Sequence, residues 1–167
     1  MATIIQPLAL LSAVLPATNY PLITGITGTN FPFAALVFDQ STDKTCYFFF
    51  ESTAYASGNV TARIKWEAAS GTSGDVIWAG QLACITANTD TQDIETKAFA
   101  TATTVTDSHL GTTAKRLHEI TLTLSNLDSI AAGDWVVLKF YRDADAAGDT
   151  LAADARLIAL QVEYSDV

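Results

Sequence analysis

Apolar and polar residues alternate with a period of two along much of the chain, the spacing of strands that bury one face. The cleanest case is Val60 to Glu67, where Val60, Ala62, Ile64 and Trp66 fall on one face and Thr61, Arg63, Lys65 and Glu67 on the other. Leu117 to Ser125 repeats the pattern, with Ile120, Leu122 and Leu124 inward and Thr121, Thr123 and Ser125 outward. Near the C-terminus, Ile158, Leu160, Val162 and Tyr164 oppose Leu157, Ala159, Gln161 and Glu163. Further strands are predicted near Phe33 to Asp39, and over Thr45 to Glu51, Val76 to Thr86 and Gly133 to Asp143. Tyr47, Phe48, Phe49 and Phe50 are apolar on both faces, which predicts a central strand. A short strand near Ala98 to Val105 is predicted within the loop-like, Thr-, Ala- and Asp-rich stretch from Asn88 to Thr113.

The connection from Ala144 to Ala153 is too short and too polar for a crossover helix, so the strands beside it are predicted to be antiparallel. No long run keeps helical spacing. The fold class that follows is all-β, an antiparallel β-sandwich of about eight strands over residues 31–167.

Residues 1–30 break the pattern. Pro7, Pro16 and Pro21, with Gly25 and Gly28, interrupt an apolar stretch as long as a signal-peptide core. No Lys or Arg precedes Lys44, whereas a secretory signal opens with positive charge. The segment reads as an extended N-terminal arm. Its apolar side chains need a partner surface, with Ile4, Ile5, Leu8, Leu10, Leu11, Val14 and Leu15 as the expected contacts.

Charge narrows the function classes. Acidic residues outnumber basic ones by 18 to 9, and the basic residues are scattered, whereas a nucleic-acid groove needs clustered positive charge. No nucleic-acid partner is expected. The apolar runs are too short for a membrane-spanning helix, so no membrane is expected either. Cys46 and Cys84 each sit in an apolar run and read as buried free thiols.

Candidate chemistry is sparse. The acidic loop offers Asp143, Asp145 and Asp149 as ligands for a hard cation such as calcium, but the spacing departs from the EF-hand pattern. The preferred reading is turn-capping carboxylates neutralised by Arg142 and Arg156, with no metal and no cofactor. His109 and His118 lie in no ligand motif, and His118, at a strand start, reads as a rim residue. Glu51, Glu67, Glu119 and Glu163 could supply a glycosidase pair, yet three of them fall on solvent faces. Trp66, Trp78 and Trp135, with Tyr47, Tyr55, Tyr141 and Tyr164, could form a sugar-stacking platform, although core packing is the preferred reading. No enzyme activity and no small-molecule substrate are expected.

Trp66 to Gly71, Val76 to Trp78, Ala131 to Asp134, Tyr141 to Ala144, Gly148 to Leu157 and Val162 to Tyr164 together carry an Arg-Asp-Ala, Gly-Asp-Thr, Asp-Ala signature. On these residues the chain resembles small virion structural proteins of tailed bacteriophages, closest to capsid decoration (cement) proteins. The resemblance implies a jelly-roll-like sandwich, a homotrimer, the major capsid protein as partner, and an arm that reaches across the capsid or a neighbouring subunit. The expected role is therefore a noncatalytic protein that binds and stabilises the capsid shell on the virion surface, assembled in the host cytoplasm. On that reading, removing residues 1 to about 28 leaves the sandwich folded and abolishes docking. The alternative is a carbohydrate-binding or receptor-binding β-sandwich module of a phage tail or fibre.

Overall fold

A computed structural model describes residues 2–166 as two packed antiparallel sheets, a jelly-roll-like β-sandwich. The ten strands are β1 (Thr3–Leu8), β2 (Leu22–Ile26), β3 (Phe33–Phe38), β4 (Lys44–Glu51), β5 (Val60–Ala68), β6 (Asp75–Ile85), β7 (Thr103–Ser108), β8 (His118–Leu124), β9 (Trp135–Arg142) and β10 (Ala155–Ser165). The first sheet runs β2-β3-β10-β5-β8, with β1 pairing the C-terminal half of β10 beyond the end of β3. The second runs β4-β9-β6-β7. Trp66, Trp78, Phe38, Phe48, Phe140 and Leu138 fill the space between the sheets. The ring of Phe38 meets Trp78 and Phe140 edge-on, and Trp78 stacks on Phe140. Gly80 lets the sheets close up, since a Cβ there would stand 2.9 Å from the Leu124 side chain.

The alternation in β5 and β8 lies as the sequence predicts, with Val60, Ala62, Ile64 and Trp66 buried, along with Leu122 and Leu124. In β10 a bulge between Leu157 and Ala159 shifts the phase. Leu157 and Leu160 therefore both face the core, although strict alternation would part them. β9 and β10 lie in different sheets, so the loop between them crosses the end of the sandwich instead of closing a hairpin.

The predicted arm is extended but built into the sandwich. β1 lies along β10, a single 3₁₀ turn follows at Leu10–Ser12, and Val14 then exchanges both backbone hydrogen bonds with Tyr47. The Thr45 amide donates to the Asn19 carbonyl at 2.7 Å, so residues 14 to 19 cover the edge of β4 before β2 returns to the first sheet beside β3. Apolar arms need cover, and here the molecule's own core supplies much of it. Leu8 is buried in that core, with Ile4, Leu10 and Leu15 packed against it, whereas Ile5, Leu11 and Val14 remain exposed.

β4 also departs from expectation: it is an edge strand, not a central one. Cys46, Phe48 and Phe50 face the core, and Tyr47 and Phe49 face outward. Aromatic residues on both faces here mark a second apolar surface outside the sandwich.

Candidate functional site

That surface is the outer face of the second sheet. The strand register sets Glu51, Trp135 and Ile85 in one row, Phe49, Val137 and Ala83 in the next, and Tyr47, Lys139 and Gln81 in a third. Successive outward residues on a strand stand about 7 Å apart. Phe49 and Trp135 lie 40% and 41% exposed, with their rings stacked at 5.4 Å and an interplanar angle of 22°. Two large aromatic rings are thus held side by side in water, supported beneath by the sheet. Beyond their contact with each other and with the sheet beneath, the rings stand open to water, which marks the patch as a surface suited to being covered.

The segment from Ile94 to Ala100 walls one side. The Ala100 amide donates to the Leu82 carbonyl at 2.8 Å and the Gln81 side-chain amide donates to the Ala100 carbonyl at 2.9 Å, pinning the segment to the edge of β6 beyond the end of β7. Phe99 then packs on Tyr47 with ring centroids 6.0 Å apart. Lys97 reaches Asp128 at 2.8 Å. Between wall and sheet lies an open cleft of about 320 Å³ lined by Tyr47, Phe49, Phe99, Trp135, Ile94 and Lys97, with Glu95 at its margin. Apolar ring faces with a few polar groups at the rim suit a ligand with an apolar face and a hydroxylated edge.

The aromatic candidates separate accordingly. Trp66 and Trp78 are core, and Tyr164 is a buried tie whose hydroxyl accepts from Gln6 at 2.6 Å. Tyr55 donates to the Gly58 carbonyl, and Tyr141 lies on the same outer face as the cleft, under Lys139. Of the seven, Tyr47 and Trp135 line the cleft. Phe49 and Phe99 were missed, although the doubled apolar pattern of Tyr47 to Phe50 was a signal for the first.

The acidic loop is organised by an ion pair. Arg142 is fully buried and clasps Asp149 through two hydrogen bonds of 2.6 and 2.9 Å, while donating to the Leu151 and Ala153 carbonyls. Gly74, at φ +106°, lets the strand backbone pass against Leu151 where a Cβ would collide. Asp149 is therefore withdrawn from any cation site. Asp143 and Asp145 instead meet Asp43, with ligand oxygens within 4.8 Å of one another. Burial, and then the charges of Asp43 and Asp145, push the Asp143 carboxyl above its usual range. These three are the described residues that could share a cation. Arg156 pairs with Glu67 rather than with the loop.

The remaining candidates other than Glu51 have structural partners. Glu119 and Glu163 both bind Arg63, at 3.6 and 2.9 Å, and Lys65 also reaches Glu119. His118 is buried, not at a rim, because it is in phase with Ile120 and Leu122. It stacks on Trp66 at 4.3 Å and touches His109 at 4.6 Å. Both cysteines are free and buried, and burial followed by the charge of Asp128 pushes the Cys84 thiol up to about 12.

No family model matches the chain, and no curated protein does. Among solved structures it is similar to a non-crystalline cellulose specific carbohydrate-binding module, CBM28, with a TM-score of 0.54 and 9% identity over 92% of this chain and 89% of that one. The C-terminal CBM6 of a laminarinase from Zobellia galactanivorans aligns with a TM-score of 0.43 and 8% identity, over 96% and 98% of the two chains. A structure of carbohydrate-binding modules from the β-sandwich superfamily aligns with a TM-score of 0.44 and 11% identity, over 92% of this chain and 56% of that one. The first likeness shows the fold, a β-sandwich. The expectation of a capsid decoration protein is corrected here: the solved structure whose fold the chain shares is a carbohydrate-binding module, not a virion protein. The physical reason lies in residues 1–30, where Leu8 is spent on the chain's own core and β1 on its own sheet.

Proposed function

We propose that the chain is a carbohydrate-binding β-sandwich module that takes a glycan on the outer face of the second sheet. The carrying observation is the solvent-exposed, stacked Phe49 and Trp135 pair within a cleft that also holds Tyr47 and Phe99. A pyranose ring presents C–H groups on its faces and hydroxyls around its rim. Aromatic faces bury the former, while Lys97, Glu95 and the Tyr47 hydroxyl meet the latter. The fold shared with a cellulose-specific module supports this class of ligand. A net charge of −9 disfavours polyanionic glycans, so a neutral chain is the expected ligand.

Affinity electrophoresis through gels containing neutral polysaccharides tests the proposal. The native chain should be retarded by at least one of them. Phe49→Ala and Tyr47→Ala should each weaken retardation about tenfold, on the order of 1.5 kcal/mol for a lost aromatic stacking partner. Unretarded migration in every neutral polysaccharide, with the fold intact, would refute it.

A further inference from the structure

β2 ends the first sheet and pairs with β3 alone. Among the described residues, no backbone or side-chain hydrogen bond joins residues 22–26 to any other segment. The other margin of the sandwich on this side is closed, because residues 14 to 19 cover the edge of β4. The open edge is apolar: Leu22 and Ile23 are 61% and 46% exposed, and Phe31, next to the strand, is 69% exposed. Natural edge strands are usually guarded by a charge, an internal proline or a bulge. β2 has none of these, and Pro21 stands just before it.

Charge distribution identifies what can cover this edge. The first charged residue of the chain is Asp39, and all 18 acidic and 9 basic residues lie at or beyond that position. Two copies, each at −9, repel wherever their acidic surfaces face each other. β2 lets them meet through strands without charge.

The sequence of β2 is also complementary to itself. If two copies pair antiparallel about a twofold axis at Thr24, Leu22 stands opposite Ile26 and Ile23 opposite Gly25. Gly25 leaves open space, since a Cβ built there meets nothing within 4 Å, and the Ile23 side chain has room to cross it. We propose that the chain forms a homodimer by antiparallel pairing of β2 with β2 about a twofold axis at Thr24, joining the two first sheets into one. An isologous contact of this kind closes at two copies.

Light scattering coupled to size exclusion, run on the full chain across concentrations and salt, tests the proposal. The expected mass is that of two chains, with association strengthened by added salt as the net charge is screened. Thr24→Lys sets like charges opposite each other across the axis and should raise the dissociation constant several-fold, as should Thr24→Glu. An equimolar mixture of T24K and T24E should regain the dimer, because the axis then pairs opposite charges. Leu22→Lys, at a more exposed position, serves as the second edge variant, and urea midpoints verify that all variants fold. A monomer at concentrations of about 100 μM, a trimer, or a dimer indifferent to both Thr24 charges and their mixture would each overturn the proposal.

Discussion

At the residue scale, His118 shows how burial sets a pH response. Its Nε2 accepts from the Leu110 amide at 3.0 Å, so the neutral ring carries its proton on Nδ1. His109 Nδ1 likewise accepts from the Gly111 amide, and its Nε2 faces the Ala114 carbonyl. Protonating His118 Nε2 would set one N–H against another and place a charge beside Trp66 and His109. Burial first, and His109 second, hold the His118 pKa below the usual 6.5. For a base with a depressed folded value, the unfolded state takes the proton more readily. Its contribution to stability is therefore full above about pH 6.5 and lost as pH falls toward the folded value. The urea midpoint should drop between about pH 7.5 and pH 5.5, and His118→Gln should flatten that dependence. An equal slope in the variant would assign the response elsewhere. Arg142 gives the second expectation at this scale. Arg142→Met leaves Asp149 buried without a counter-charge and should cost about 3–5 kcal/mol in urea unfolding. Adding Asp149→Leu should recover part of it, whereas an unchanged midpoint in the single variant would contradict the clasp.

At the element scale, the N-terminal segment is the part where sequence and structure differ most. Its prolines and glycines mask any period of two, so β1 and β2 could not be read from pattern, and the uncharged run resembled an arm. Long-range pairing with β10 and β3 decides its structure, and no local signal encodes that pairing. Deleting residues 1–28 should therefore unfold or strongly destabilise the sandwich. It removes Leu8 from the core, bares the C-terminal half of β10 and uncovers β4. A buried leucine alone is worth about 2–5 kcal/mol. A truncated chain with the parent urea midpoint and near-ultraviolet dichroism would show the segment to be dispensable. By contrast β5 and β8 were legible residue by residue, because each buries one face and exposes the other. β10 was legible as a strand but not in phase, since a bulge leaves no mark in composition.

At the scale of the whole molecule, the sheet faces differ in chemistry. The outer face of the first sheet carries the Arg63, Lys65, Glu119 and Glu163 network, and that of the second carries the aromatic cleft. Trp135 could be read as aromatic from sequence but not as exposed, because exposure depends on which sheet covers it. Phe49 was concealed by the same ambiguity, since a strand apolar on both faces looks central until its neighbours are known. Phe99 falls in the stretch predicted as a short strand near Ala98 to Val105, but the strand forms later, as β7, and the hydrogen bonds of Ala100 and Gln81 bring Phe99 to Tyr47 instead. Trp135 also makes the cleft observable, because Trp66 and Trp78 are fully buried and cannot touch a ligand. The decisive measurement is a tryptophan-fluorescence titration of the native chain and Trp135→Ala with soluble neutral glucans. Binding in the cleft predicts a saturable change in the native chain and none in the variant. No change in the native chain with any of them, or an equal change in both proteins, would contradict a glycan site on this face.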